Sequence, residues 1–267
     1  MNPDKNKPIG FMDSGLGGIS VLREAVKLMP GENFIYFGDS ANVPYGNKPR
    51  EEIRRLTFRA VDILMEYDIK GLAIACNTAT SAAVKDLRIM YPDLPLVGIE
   101  PAIKPAIERS RGGRILVMAT PMTIKQEKFR HLLETFGEGH DIVSVPCDGL
   151  VSFVENCMFD QELLNVYFKK HLSPFVTNNT ESIVLGCTHY PFLKSNILEF
   201  LKERHHRDDI VLIDGSFGTA RELKRRLNEK GLLKEANGTP GHVEILNSSS
   251  DSEMVEKSYA LLHMPEI

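Results

Sequence analysis

The chain has 267 residues, of which 42% are hydrophobic and 25% are charged, and this composition is typical of a globular protein with a sizeable core. Its length predicts one large domain or two domains of modest size. The formal net charge is −4 and the sequence contains no long run of like charges. We therefore expect a small-molecule partner rather than nucleic acid or anionic lipid.

The apolar stretches are too short to span a membrane. Residues 71–76 and 182–187 are typical, and each falls well below the roughly 20 residues of a bilayer-spanning helix. The first eight residues are polar and the segment after them is interrupted by glycine, which argues against a signal peptide. We expect a cytoplasmic protein with no membrane partner, and in that reducing compartment the four cysteines should be thiols.

Strand-like apolar runs alternate with longer helical patterns, which predicts a parallel α/β architecture. The expected strands are 9–12, 34–37, 72–75, 96–99, 114–119, 142–145, 182–186 and 210–213. Residues 49–67 place apolar side chains on one face at helical spacing, so a helix is predicted there. Beyond Gly241, the pattern predicts a strand at 243–246 and a helix at 251–262.

The second half of the chain weakly repeats the first half. A strand runs into Asp13 in one half and into Thr120 in the other, and Cys76 and Cys187 follow at nearly the same interval. We predict two pseudo-symmetric domains, each a mostly parallel sheet flanked by helices, with the active site in the cleft between them. The expected boundaries give 1–98 with 211–267 as the first domain and 99–210 as the second.

Cys76 and Cys187 each end a predicted strand and precede a predicted helix. Ligands of parallel sheets bind outside the carboxyl ends of the strands. A helix N-terminus also lowers the pKa of a thiol from its ordinary value of about 8.5. For either cysteine alone, packing is the commoner role, but the symmetric pair favours chemistry. Cys147 and Cys157 lack this setting and are expected to be structural.

Three other segments leave alternatives open. The turn 13–18, rich in glycine, fits a phosphate-binding turn, a carboxylate-binding turn, or a tight turn with Asp13 or Ser14 as a helix cap. The loop 42–48 is either a connector or part of a binding site. His189 is either a capping residue or a proton partner of Cys187, and the C-x-H spacing is poor for zinc, so no metal is expected.

Two opposed thiols suit one particular reaction. One thiolate removes a proton from a carbon atom while the other thiol supplies a proton to the opposite face, which inverts a stereocentre. Hydrolases with a nucleophilic cysteine need one cysteine and one histidine, and redox dithiols need sulfurs close enough to bond.

At these positions the sequence resembles the glutamate racemases of the cofactor-independent Asp/Glu racemase superfamily. Five segments carry the resemblance, in family order and over nearly the whole chain: FMDSGLGG (11–18), VPYGNK (43–48), ACNTAT (75–80), GIEP (98–101) and LGCTHYP (185–191). The sequence departs from the family pattern at 151–155, which lacks an expected proline, and at 213–216, where Gly and Ser exchange order. These departures concern local loop shape and regulation rather than the reaction.

The resemblance implies a reaction, a set of site residues and a cellular role. Cys76 and Cys187 would be the acid/base pair that interconverts L- and D-glutamate, without pyridoxal phosphate, metal or any other cofactor. Asp13 would assist Cys76, and His189 and Glu155 would assist Cys187. The positions expected to hold the substrate are Asp13, Ser14, Tyr45, Gly46, Asn77, Thr78, Thr120, Thr123, Thr188 and His189.

The implied cellular role is the supply of D-glutamate for bacterial peptidoglycan, by a homodimer. The short polar arm before the first strand implies that the longer extension some members use to bind an activator is lacking. Three other functions stay open: a racemase for aspartate or another acidic amino acid, a two-lobed amino-acid-binding protein whose cysteines only pack, and a thiol hydrolase.

Overall fold

The computed structural model describes residues 3–125, 127–235 and 238–265. The chain divides into two compact units, Met1–Glu100 with Ser216–Met264 and Pro101–Gly215 with Pro265–Ile267. The strands of the described chain are, in order, β1 (Ile9–Asp13), β2 (Phe34–Gly38), β3 (Gly71–Ile74), β4 (Leu96–Gly98), β5 (Arg114–Ala119), β6 (Ile142–Pro146), β7 (Thr180–Leu185), β8 (Val211–Asp214) and β9 (Val243–Asn247).

The α-helices lie mainly between these strands, as a parallel architecture requires. They are α1 (Ile19–Leu28), α2 (Arg50–Met65), α3 (Asn77–Met90), α4 (Ile103–Arg109), α5 (Pro121–Lys125), α6 (Glu127–Phe136), α7 (Leu150–Glu155), α8 (Gln161–His171), α9 (Lys194–His205), α10 (Ser216–Glu229) and α11 (Glu253–Leu262). In the part of the chain that the structure covers, no helix has both the length and the hydropathy needed to cross a bilayer.

The first unit contains a parallel sheet with the strand order β4-β3-β1-β2-β9. Every residue of β1, β2 and β3 is buried, as expected for strands covered on both faces. Helix α1 packs against α10 and α11, whereas α2 packs against α3. The helix predicted at 49–67 is confirmed as α2, which buries the apolar stripe Ile53, Leu56, Ala60 and Leu64.

The second unit contains a parallel sheet with the order β6-β5-β7-β8. Two mostly parallel sheets flanked by helices were expected, and this fold class is confirmed. The domain boundary expected at 210/211 is wrong, because β8 pairs with β7 along its whole length and so belongs to the second sheet. The chain passes between the units at 100/101 and 215/216 instead. After α10, strand β9 pairs with β2 in the first sheet.

In both sheets the strand order reverses at an equivalent point. From β1 the chain moves to β2 on one side and then to β3 on the other side of β1. From β5 it moves in the same way to β6 and then to β7. A crevice opens at the carboxyl ends of the strands where the order reverses, and parallel sheets bind their ligands there. We therefore expect ligand-binding residues at the carboxyl ends of β1 and β3 and at the carboxyl ends of β5 and β7.

Candidate active site

Cys76 lies at the carboxyl end of β3 and is the N-cap residue of α3. Its backbone is extended, and the next residue begins the helix. The Ala79 N–H donates to the Cys76 sulfur at 3.5 Å, so the side chain satisfies one of the free amides of the first turn. The residue is 6% exposed. The amide and the positive end of the helix dipole both favour negative charge on this sulfur.

Asp13 and Ser14 occupy the neighbouring strand end, after β1. The Cys76 thiol donates to the Ser14 hydroxyl oxygen at 3.6 Å. Asp13 is fully buried, and its Oδ1 accepts from the Gly15 N–H at 3.0 Å. The side chain of Asp13 thus closes a tight turn. Neither residue caps α1, which begins after Gly18 without a side-chain cap, so that part of the expectation is wrong.

Glycine allows this turn to pack against the sheet. A Cβ atom at Gly18 would lie 2.6 Å from the Cβ of Asp13, and one at Gly38 would lie 2.6 Å from the carbonyl oxygen of Gly15. Both contacts are too short for any side chain, so glycine is required at these two positions. The Tyr36 hydroxyl also donates to the Gly15 carbonyl at 2.6 Å. The glycine-rich sequence therefore shapes a turn that presents Asp13 and Ser14 beside Cys76.

The loop 42–48 contains Tyr45 and Gly46 and also lies in the first unit. Tyr45 is 1% exposed and belongs to the same buried cluster as Cys76. Its hydroxyl donates to Asp39 Oδ2 at 2.6 Å. Burial, and then the hydrogen bond to Asp39, hold the pKa of Tyr45 far above its ordinary value, so the hydroxyl keeps its proton. Asp39 directly follows β2, and sequence analysis did not single it out.

Asn77 and Thr78 form the first turn of α3, directly after Cys76, and both are buried. The Asn77 Oδ1 atom is buried and meets no hydrogen-bond donor among the residues that the structure describes. A buried acceptor without a donor is costly unless a ligand supplies one. This atom is therefore suited to a cationic hydrogen-bond donor such as an ammonium group.

Cys187 follows β7 and Gly186 in the second unit and is half-buried. It does not start an α-helix, which corrects the sequence-based expectation. Residues Tyr190–Leu193 form a 3-10 turn with Pro191 near its start, and α9 begins only at Lys194. The polar neighbour of Cys187 is a side chain instead, since its sulfur lies 3.5 Å from His189 Nδ1.

His189 connects Cys187 to Glu155. The Nε2 atom of His189 lies 2.6 Å from Glu155 Oε1, where Glu155 is the last residue of α7. The two residues are 2% and 7% exposed. Burial lowers the pKa of His189, but the hydrogen bonds to Cys187 and Glu155 outweigh it and raise that pKa well above its ordinary value. The imidazole is thus held as a cation beside the sulfur.

Three threonines expected at the site lie near the carboxyl ends of β5 and β7. Thr120 directly follows β5, and its Oγ1 atom accepts from the Thr123 N–H at 3.3 Å and lies 2.9 Å from the Thr123 hydroxyl. Thr123 is buried in α5, and Thr188 is buried directly after Cys187. Thr120 therefore takes the position in the second unit that Asp13 and Ser14 take in the first.

The other two cysteines differ from this pair. Burial raises the pKa of Cys147 to about 12, which makes it a poor proton carrier near neutral pH. Cys157 follows α7 in a left-handed conformation with a φ of 51°. All four cysteines lie in the described chain, and each is a thiol rather than part of a disulfide. Among all the residues that the structure describes, no group of three or more His, Cys, Asp or Glu side chains could hold a metal ion.

Comparison with known proteins places this fold and these residues in a family. A sequence profile described as Asp/Glu/Hydantoin racemase matches residues 9–216. A glutamate racemase from Clostridium botulinum (strain Alaska E43 / Type E3) is 49% identical over 258 residues, which cover 97% of this chain and 98% of the relative.

Two solved structures are similar over nearly their whole length. Glutamate racemase isoform RacE1 from Bacillus anthracis has a TM-score of 0.84 and 31% identity, covering 97% of this chain and 94% of that chain. Glutamate racemase from Francisella tularensis, solved in complex with D-glutamate, has a TM-score of 0.82 and 27% identity, covering 97% and 95%.

Because the profile matches most of the sequence, the chain belongs to the Asp/Glu/hydantoin racemase family. Within that family, two relatives from Clostridium botulinum that are 49% and 50% identical to this chain are glutamate racemases.

Proposed function

We propose that the protein is a glutamate racemase that interconverts L- and D-glutamate, with Cys76 and Cys187 as its two acid/base groups. The proposal rests mainly on one observation. Each parallel sheet has a thiol at the strand end where its order reverses, and each thiol contacts a polar partner of its own. Similarity to glutamate racemases, one of them solved with D-glutamate, supports glutamate as the substrate.

The two thiols would exchange roles in each turnover. The thiolate on one side removes the α-hydrogen of glutamate as a proton and becomes a thiol. The thiol on the other side donates its proton to the opposite face of the same carbon and becomes a thiolate. The configuration is inverted and no proton is gained or lost overall. The reverse reaction uses the same two groups in the opposite order.

Different neighbours would keep each sulfur ready for proton transfer. The Ala79 amide and the Ser14 hydroxyl contact the Cys76 sulfur, and the buried carboxylate of Asp13 lies on the adjoining strand end. The His189 cation, held by Glu155, contacts Cys187. The Ala79 amide and the His189 cation are donors that stabilise a thiolate without removing the sulfur from reach of a substrate, whereas the Ser14 hydroxyl accepts from Cys76 when it is a thiol.

The remaining polar groups would hold glutamate and stabilise the charge that develops when its α-carbon loses a proton. The unsatisfied Asn77 Oδ1 is suited to the ammonium group. Hydroxyl and backbone N–H groups are suited to the two carboxylates. The residues assigned to substrate contact are Asp13, Ser14, Tyr45, Gly46, Asn77, Thr78, Thr120, Thr123, Thr188 and His189. We further propose a cytoplasmic homodimer that needs neither pyridoxal phosphate nor metal and supplies D-glutamate for peptidoglycan.

A substrate panel tests the reaction itself. The purified protein is incubated separately with each enantiomer of glutamate and of aspartate, and the loss of optical activity is followed by circular dichroism. We expect both glutamate enantiomers to converge on a racemic mixture and aspartate to react far more slowly. Faster racemisation of aspartate would reassign the substrate. Binding of glutamate without loss of optical activity would indicate a binding protein.

A further inference from the structure

Asp39 is the acidic residue that the proposed mechanism does not use, although it lies at the same sheet edge as Asp13. It directly follows β2, and its backbone N–H donates to the Asp13 carbonyl oxygen at 3.0 Å. The residue is only 4% exposed. A buried carboxylate at the carboxyl end of a parallel sheet needs a structural or functional reason, because an unpaired one is costly to bury.

The Asp39 carboxylate is bound by two side chains of the loop 42–48. The Asn42 side-chain amide lies 2.9 Å and 3.1 Å from the two carboxylate oxygens, and the Tyr45 hydroxyl donates to Oδ2 at 2.6 Å. Hydrogen bonds to an ionised acceptor are roughly twice as strong as neutral ones. Asp39 therefore fixes residues 42 and 45 relative to the end of β2.

Packing is incomplete at the start of this loop, at residues 41 and 42. A cavity of about 270 Å³ lies against it and is lined in part by Asp39, Ala41 and Asn42. Atoms that face a cavity lack neighbours on one side and lose the corresponding dispersion contacts. Just upstream, the Ser40 hydroxyl accepts from the Asn247 side-chain amide at the end of β9, and the Ala41 N–H donates to the Ser248 hydroxyl. Asn42 is held by Asp39 through its backbone N–H and its side-chain amide, and Tyr45 is held both by its bond to Asp39 and by packing in the buried cluster that contains Cys76.

The hydroxyl of Tyr45 is committed to this bond. It keeps its proton, it donates to Asp39, and the side chain is almost fully buried. The Tyr45 side chain therefore anchors the loop, and the Tyr45–Gly46 segment is left to contact substrate through its backbone. The position of that backbone depends on the anchor.

We propose that Asp39 is a positioning residue, which sets the Tyr45–Gly46 segment of the glutamate site by accepting hydrogen bonds from Tyr45 and Asn42. The inference deepens the proposed function and rests on it. It assigns Asp39 to substrate binding through the loop and not to proton transfer. The effect of losing this anchor should fall mainly on KM, because a displaced loop weakens binding of substrate and transition state alike.

The test compares Asp39→Asn and Tyr45→Phe with the wild-type protein in steady-state racemisation of glutamate. An amide at position 39 would face the Asn42 amide donor to donor, and Tyr45→Phe keeps the ring while removing the bond. We expect either change to raise KM by about 10- to 100-fold with a smaller change in kcat. The combined variant should fall short of the sum of the two single effects, because both substitutions weaken the bond between Tyr45 and residue 39 and energies at a shared contact are not additive.

A second substitution gives a rescue. Adding Asn42→Asp to Asp39→Asn places an acceptor opposite the new donor, and KM should recover towards the wild-type value. Tyr91→Phe is the matched control, since the Tyr91 hydroxyl contacts Asp62 on the surface at 3.4 Å, and its KM should not change. If Asp39→Asn does not fold, as judged by thermal melting, Tyr45→Phe tests the inference without it, and its KM should still rise.

The outcomes separate this inference from the proposed function. An unchanged KM in the folded variants overturns the role of Asp39, and so does a fall in kcat at constant KM, which is the effect of losing active protein. Either result leaves the racemase proposal intact. A wild-type protein that does not racemise glutamate refutes the proposed function and this inference with it.

Discussion

The two thiols lie at equivalent strand ends but in different local environments. Cys76 caps an α-helix and contacts an amide and a hydroxyl, whereas Cys187 precedes a 3-10 turn and contacts a buried histidine cation. The matching strand order of the two sheets explains where the sulfurs lie. It does not explain how each sulfur is stabilised, which depends on the few residues that follow each strand.

A local difference in sequence accounts for the contrast. Asn77 continues directly into α3 after Cys76, so the sulfur meets the free amides of that helix. After Cys187, the 3-10 turn containing Pro191 delays α9 until Lys194 and leaves His189 beside the sulfur. The sulfur of the first unit thus contacts neutral groups, an amide and a hydroxyl, whereas the sulfur of the second unit contacts a histidine cation that a carboxylate holds in place.

Removing either sulfur should have the largest effect, because the proposed mechanism needs both. We expect Cys76→Ser and Cys187→Ser each to reduce kcat for glutamate by about 1000-fold, with modest changes in KM. Cys157→Ser is the matched control and should keep wild-type turnover. Near-normal activity in either of the first two variants would show that the two sites are not equal partners in proton transfer.

Neutralising Glu155 should affect the Cys187 side alone. Glu155→Gln removes one of the two hydrogen-bonded groups that raise the pKa of His189, so this pKa falls. The imidazole then loses its proton at a lower pH, and the alkaline limb of the pH–rate profile should move to lower pH. At the wild-type optimum we expect a loss of about 100-fold.

Glu162→Gln is the control for that measurement, since Glu162 is exposed on α8 and contacts neither His189 nor Cys187 in the described structure. It should leave both turnover and the pH profile unchanged. A Glu155→Gln variant whose alkaline limb stays in place would contradict the view that a histidine cation supports Cys187.

Removing a neutral hydrogen-bond partner on the Cys76 side should have the smallest effect. Ser14→Ala deletes the hydroxyl that accepts from the Cys76 thiol but leaves the Ala79 amide in place. We expect kcat to fall about 2- to 10-fold with no shift in the pH–rate profile. Ser81→Ala, on the same helix as Ala79, serves as the control. A shift of the pH–rate profile in Ser14→Ala would contradict the proposed difference between the environments of Cys76 and Cys187.

Local patterns predicted much of the fold. The apolar stripe of α2 and the buried strands are signals within one segment, and the thiols at the ends of β3 and β7 followed from them. The domain boundary at 210/211 was wrong because the assignment of β8 depends on its pairing with β7, which is a contact between distant segments.

The candidate site was less predictable in its details. The weak repeat suggested that both cysteines begin a helix, which holds for Cys76 and fails for Cys187. Glu155 entered through family resemblance, since no spacing rule connects it to a histidine so far along the chain. Asp39 was missed because its partners, Tyr45 and Asn42, lie in a loop without periodicity, although its place two residues after a predicted strand was visible in the sequence.

The most direct test follows the α-hydrogen of glutamate in heavy water. The reaction is started from one pure enantiomer and stopped after a small fraction has converted, and both enantiomers are then analysed for deuterium by mass spectrometry. Two separate acid/base thiols predict that the product carries solvent deuterium at the α-carbon while the unreacted substrate does not. Product that retains the original hydrogen, or substrate that exchanges as fast as product forms, would contradict the assignment of Cys76 and Cys187 to opposite faces of the substrate.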